Sequence, residues 1–247
     1  MKFLNHLNEV EERTYTIEKV VKALKRKCGK FLKETAPSIK KGDFIYRGSD
    51  NQISHGTFID RRLSRLTDRM PMSTSIEVHN MLNDMFKKKF GWQVRNGVFA
   101  SDVGQSAGYG VAYSFFPIGD YKYCWSPAVG DLFSTINMLK YYYESLLRPD
   151  TPERLVSSLG YLRMFYSNIK ETVGADFNRP GVEPSPANIP KALQALINSY
   201  RGSGLNEAIS EQNEVSFECK EYYLVDPEIW STISAIEVQQ YLDKLAS

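Results

Sequence analysis

Phe44-Ile45-Tyr46-Arg47-Gly48 is a short apolar run that closes on an aromatic residue, an arginine and a glycine, and Gln212-Asn213-Glu214-Val215 answers it near the far end of the chain. The first stretch predicts a strand over 44–47 that ends at Arg47, and the second predicts a glutamate at the head of another strand. Folded onto one cleft, the arginine supplies a fixed cation for a diphosphate, and the glutamate supplies a carboxylate facing a developing sugar cation. The pair points to the chemistry of NAD.

Ahead of the first stretch, Ile17, Val20, Val21, Leu24, Cys28 and Phe31 recur at three- and four-residue spacing, which predicts an amphipathic helix ending within 29–34. Its other face carries Lys19, Lys22, Lys25, Arg26, Lys27 and Lys30. Such a face suits phosphates or an acidic partner, but the simpler reading, a solvated helix face, is preferred. Pro37 and Gly42 are expected to break the helix, Ser49 to Gly56 to form a polar loop, and Met70-Pro71 to stop the arginine-rich segment 59–69. Ser73 or Ser75 offers an N-cap for a helix through Phe86 that Gly91 closes, with Lys87 to Lys89 at its C-terminal end.

From Gln93 to Trp125 short aromatic and β-branched runs predict the centre of the sheet, as strands over 94–101, 111–116 and 121–125. Helical periodicity returns over 129–147, 152–169 and 192–200, with a Gly/Pro-rich connection over 174–190, and together these read as a helical insertion. Arg201-Gly202-Ser203-Gly204 reads as a flexible joint, followed by strands over 215–217 and 222–225 and a terminal helix over 233–245. The expected fold class is α+β. We expect one domain over 1–247, made of a basic helical segment (1–42), the first part of the core (43–128), the insertion (129–204) and the closing strands with the terminal helix (205–247).

The 247 residues suffice for one substantial core, and 31 Lys+Arg against 29 Asp+Glu give no whole-chain argument for nucleic acid or an anionic membrane. Cys28, Cys124 and Cys219 are far apart, with no CxxC, so neither a zinc site nor a disulfide framework follows and reduced cytosolic thiols are expected. No metal is expected. No apolar stretch approaches the roughly 20 residues that span a bilayer, and 1–10 lacks the apolar core of a signal peptide. The chain contains no Walker A loop, no GxGxxG, no HExxH and no nucleophile elbow, which leaves other common enzyme classes without a foothold.

These features resemble the ADP-ribosyltransferase superfamily, in the branch whose signature is arginine, serine, glutamate. In that branch an aromatic-Arg-Gly step like Tyr46-Arg47-Gly48 ends the first core strand. A serine follows an aromatic residue on a later strand, and a glutamate preceded two positions earlier by an acid or glutamine heads another, as in Gln212-x-Glu214-Val215. Tyr223-x-Val225 completes the likeness to the closing strand pair. Gln212 is similar to the glutamine of enzymes that modify acceptors other than arginine. Two segments compete for the serine. Ser73-Thr74-Ser75 spells the family's Ser-Thr-Ser, 26 positions after Arg47. Val98-Phe99-Ala100-Ser101 leads into Ser106-Ala107-x-Tyr109 and is similar to the corresponding stretch of the poly-ADP-ribose polymerases, with Val98 where that branch has a tyrosine. We favour Ser101.

The resemblance implies an α+β core of two small, mainly antiparallel sheets around an NAD cleft, with NAD as the substrate and Glu214 stabilising the ribosyl cation formed when nicotinamide leaves, the same charge that develops in glycoside cleavage. It implies that Ser101 orients Glu214, that Gln212 positions the acceptor, and that Arg47 holds the diphosphate. Tyr46, Gly48, Ser73 and Thr74 join the cofactor site as neighbours in these motifs, and Phe99 and Tyr109 line the nicotinamide pocket. The expected partner is a host protein or nucleic-acid acceptor, without a membrane. Phe116 to Pro127 has no counterpart in the transferases and resembles a stretch of tailed-phage proteins, which implies a phage source and either a host-cytoplasmic effector or a virion protein. Two rivals follow. One is a non-catalytic virion or interaction protein using Tyr141-Tyr142-Tyr143 and the Trp125 loop as a packing surface. The other is a nucleic-acid binder using the lysine face and Arg61 to Arg69.

Overall fold

The computed structural model describes residues 17–53, 57–67, 74–147, 152–174, 184–231 and 235–247. The chain divides into two compact units, one of 1–64, 98–123 and 204–247, the other of 65–97 and 124–203. The fold is α+β with two antiparallel sheets.

The first unit begins with α1 (residues 17–27) and α2 (Gly29–Glu34), separated by a bend at Cys28. Their apolar stripe is fully used, since Ile17, Val20, Val21, Leu24, Cys28, Phe31 and Leu32 are all buried. Phe31 meets Phe116, Tyr121 and Phe217 edge-on, with ring centroids 5.8, 6.0 and 6.3 Å away, and full burial of such a ring contributes about 1.5–3 kcal/mol. Glu34 accepts hydrogen bonds from the Tyr121 and Tyr123 hydroxyls at 2.6 and 2.7 Å, which ties the helix to the sheet. Pro37 does not break the helical run. It sits in the first turn of α3 (Ala36–Lys41), where its missing N–H costs nothing, and the left-handed Gly42 ends the run instead.

The four-stranded sheet has the order β1 (Tyr46–Ser49), β4 (Val111–Pro117), β7 (Glu221–Val225), β2 (Ile59–Leu63), and the three-stranded sheet has the order β3 (Val98–Ala100), β6 (Val215–Cys219), β5 (Tyr121–Trp125). The first strand starts two residues later than expected, so Arg47 lies within it, paired with Tyr113, rather than closing it. The arginine-rich stretch contains an edge strand, β2, where Arg61 pairs with Glu221 and Arg62 with Asp60. Charges on an exposed edge of this kind discourage further strand addition. Val94–Asn96 form a 3-10 turn, so the strand expected over 94–101 shrinks to β3. Two short helices, α5 (Val103–Ala107) and α9 (Leu205–Ser210), precede β4 and β6. After β7 come α10 (Glu228–Ser231) and α11 (Ala235–Ala246).

Gly48 is required by close packing. A Cβ there would lie 2.1 Å from the Ser106 carbonyl oxygen and 2.8 Å from Tyr109 Cβ. Gly48→Ala is therefore expected to lower the unfolding free energy by about 3 kcal/mol. Urea denaturation tests this, and an unchanged midpoint contradicts it.

The second unit is helical. It contains α4 (Ile76–Phe90), α6 (Leu132–Leu146), α7 (Pro152–Val173) and α8 (Ile189–Asn198) around Leu82, Phe86, Leu139, Phe165, Leu193 and Leu196. Ser75 caps α4 by accepting the Val78 N–H, and the left-handed Gly91 closes it. Pro190 opens α8 from its first turn instead of ending the preceding connection. Lys89 donates to the carbonyls of Ile197, Asn198 and Tyr200 at 2.9, 2.8 and 2.7 Å, which satisfies the end of α8. Trp125 is fully buried, with the Arg201 guanidinium 4.2 Å from its ring, and Tyr142 is buried as well. Both belong to the core of this unit, whereas Tyr141 of the tyrosine run is 45% exposed. The supposed joint at Arg201 is instead paired through its backbone to Trp125, at 2.8 and 3.0 Å.

Candidate functional site

Among the described residues, one isolated backbone bridge joins the two sheets of the first unit. Tyr46 N–H donates to the Ser101 carbonyl and Ser101 N–H to the Tyr46 carbonyl, both at 2.8 Å. In the β3–β6 ladder Ala100 pairs with Val215, where the ladder ends; Ser101 follows Ala100 on one side and Glu214 precedes Val215 on the other. Arg47, one residue after the bridge, donates from Nη1 to the Phe99 carbonyl at 2.8 Å. Three sequence-predicted residues thus adjoin β3 or its partner strand. Arg47 is bonded to β3, Ser101 directly follows it, and Glu214 precedes the strand beside it.

The Ser101 and Arg47 side chains are held by neighbouring groups. The Ser101 hydroxyl, nearly buried, lies 3.0 Å from Ser106 Oγ, and Ser106 Oγ donates to the Tyr46 carbonyl at 2.8 Å. The helix bearing Ser106 starts here because Asp102 caps it, accepting the Gly104 and Gln105 N–H groups at 2.7 and 3.1 Å. The Arg47 guanidinium lies 5.8 Å from the centre of the Tyr222 ring. Phe99 accounts for one of its five N–H groups, and the others meet no protein acceptor among the described residues.

The turn that delivers Glu214 has a defined form. At the end of α9 the Gln212 N–H donates to the Ile209 carbonyl at 3.1 Å and the Asn213 N–H to the Ala208 carbonyl at 3.0 Å. This is the Schellman arrangement, in which the left-handed position is normally glycine. Here Gln212 occupies it at φ 60°, the one non-glycine residue with positive φ among the described residues. Gln212 thus keeps an exposed amide side chain at a position where glycine is the relaxed choice. We expect Gln212→Gly to raise the unfolding free energy by about 0.5–1 kcal/mol. Urea denaturation tests this, and a loss of stability contradicts it.

Beside the bridge lies a cavity of about 420 Å³, within the range of small-molecule sites. Its lining includes Asp43, Phe44, Tyr46, Ser101, Asp102 and Gln212. Arg47, Gly48, Phe99, Tyr109 and Glu214 are not part of that lining, and Tyr109 is 62% exposed. The cavity therefore gathers Tyr46, Ser101 and Gln212, while Arg47 and Gly48 lie on β1, Phe99 on β3, Tyr109 between α5 and β4, and Glu214 just before β6. Thr74 belongs to the helical unit, two residues before α4, and Ser73 lies outside the described residues. The Ser106 link and the Schellman turn escaped sequence reading. The Ser-x-x-x-x-Ser spacing of 101 and 106 was the available signal for the first, and nothing in the residue types announced the second.

Burial raises the Tyr46 phenol above its ordinary range, and the Asp43 carboxylate adds to the effect, so it remains a neutral hydrogen-bonding group. Cys219, at the end of β6, is pushed up to about 11 by burial, with Ser64 and the charge of Arg47 pulling the other way. A thiol so placed stays protonated near neutrality and is a poor nucleophile. Among the described residues no cluster of three or more His, Cys, Asp or Glu could hold a metal ion, and no helix is long and apolar enough to cross a membrane. Comparison with known proteins finds no matching family model, no matching curated protein and no matching solved structure.

Proposed function

We propose that the first unit is an ADP-ribosyltransferase that moves ADP-ribose from NAD to a macromolecular acceptor. The observation that carries this reading is that Arg47 bonds to β3, that Ser101 directly follows it and that Glu214 precedes the strand paired with it, three segments far apart in sequence. It is supported by the two small antiparallel sheets that the resemblance implies.

Arg47, anchored through one N–H and with others to offer, holds the diphosphate by charge-assisted bonds worth about 1.5–3 kcal/mol each. Tyr46, Gly48, Phe99 and Tyr109 border the nucleotide. Glu214 faces the ribose on the nicotinamide side and stabilises the positive charge that grows as the C–N bond breaks. Nicotinamide leaves with the bonding electrons, and the acceptor nucleophile, or water, adds to the ribosyl carbon and releases its proton. Ser101 is a positioning residue for Glu214, and Gln212 positions the acceptor.

Incubation of the purified protein with NAD labelled in its adenosine half, in the presence of a bacterial lysate, tests the reading. Free nicotinamide and label joined to protein or nucleic acid are the expected products. Unchanged NAD together with undetectable NAD binding contradicts it. Under the same conditions Ser101→Ala loses most of the activity and Ser73→Ala keeps it.

A further inference from the structure

We propose that the exposed side of α1 and α2 is a docking surface for the phosphate backbone of a double-stranded nucleic acid. Lys19, Lys22, Arg26, Lys30 and Lys33 follow one another at spacings of three and four residues, all of them exposed. The bend at Cys28 does not interrupt the row. The Cys28 N–H donates to the Leu24 carbonyl at 2.7 Å and the Leu32 N–H to the Cys28 carbonyl at 2.9 Å, so helical bonding passes through it. Five cations therefore stand along one side of the helix over about 21 Å, at a rise of about 1.5 Å per residue.

Neighbours of like charge at these spacings repel, and little on the helix relieves them. Glu18 is the one fully exposed acid of the two helices, because Glu34 is engaged by Tyr121 and Tyr123. Lys22, Arg26 and Lys33 have no side-chain partner among the described residues. Lys30 reaches the fully exposed Asp120 carboxylate at 3.5 Å and the Tyr121 carbonyl, and its ammonium lies 4.8 Å from the centre of the buried Tyr121 ring. The other basic cluster of this unit differs, since Arg61 and Arg62 on β2 are each paired with an acid.

The composition of this side selects the polyanion. A basic helix that binds a membrane inserts apolar residues beside its cations, but here every large apolar residue of α1 and α2 is buried in the core. An acidic protein would be held at an aromatic or apolar centre, and this side has none. Single-stranded nucleic acid is gripped by stacking its bases on aromatic side chains, equally lacking here. A duplex hides its bases and offers regularly spaced phosphates, which a row of cations alone can hold.

The test contains no NAD and is independent of the chemistry proposed above. A fluorescein-labelled duplex of about 20 base pairs is titrated with the full chain, following anisotropy at several salt concentrations. Five phosphate contacts predict an affinity that falls about 500-fold between 50 and 200 mM salt. The variant Lys22→Gln/Arg26→Gln/Lys33→Gln removes three contacts at side chains that support nothing else, so its melting temperature stays unchanged. Its affinity should fall only about 10-fold over the same range. Absence of binding at 50 mM salt, or an unchanged salt dependence in the triple variant, overturns the proposal. Tighter binding of the matching single strand, of poly-glutamate, or of phosphatidylserine vesicles overturns the choice of partner.

Discussion

Glu214→Gln is expected to lower the rate of nicotinamide release from NAD by about 10²–10³-fold, while NAD affinity stays within a few-fold of wild type. The substitution keeps the shape of the side chain and removes its charge. The charge matters where the ribosyl cation develops, and a preorganised electrostatic partner of that kind is worth about 2.7–4 kcal/mol in the transition state. It matters little in the ground state, which is why the loss should fall on kcat and not on binding. Glu214 lies just outside the β6 ladder, so strand pairing does not depend on it. Steady-state kinetics beside calorimetric NAD titration separate the two effects. Wild-type rates in the variant would remove the carboxylate from the mechanism, and a matching loss of affinity would make it a binding group.

Arg47→Ala is expected to weaken NAD binding by about 10–100-fold, the equivalent of one charge-assisted contact to a diphosphate. The side chain also donates to the Phe99 carbonyl, so some stability should be lost as well, about 1 kcal/mol. Arg47→Lys separates these contributions. An ammonium retains the charge without the planar fork that serves a backbone carbonyl and a phosphate together, so it should recover only part of the affinity. Calorimetry on the three proteins is decisive here. Unchanged affinity in Arg47→Ala would move the diphosphate elsewhere.

Periodicity made the long elements readable. The helix ending at Phe90, the strands over 111–117 and 121–125 and the terminal helix follow from apolar spacing and from caps such as Ser75 and Gly91. Features set by tertiary pairing were less readable. β2 looked like a cluster of arginines because its strand character depends on pairing with β7 and on ion pairs to Glu221 and Asp60. The first strand was placed two residues early because Phe44 and Ile45 are apolar for packing, Phe44 being stacked on Trp230, while ladder pairing begins at Tyr46. Pro37 misled because its position in a first turn cannot be distinguished from a break until Thr35 is seen to end the previous helix.

For the site, the order of Arg47, Ser101 and Glu214 and their nearness to strands could be read from residue types. Their placement around β3 could not, because it depends on the Tyr46–Ser101 bridge and on the pairing of β3 with β6. The left-handed Gln212 was equally hidden. Glycine at that position would have announced a helix end, whereas a glutamine announces nothing until the two backbone bonds of the turn are seen.

The most direct test of the central claim is a crystal structure of the wild-type protein with a non-hydrolysable NAD analogue. The account predicts the diphosphate within hydrogen-bonding distance of the Arg47 guanidinium, and the nicotinamide-side ribose against Glu214 and Ser101. An analogue ordered elsewhere on the protein, or failure to bind at millimolar concentration in solution, would contradict it.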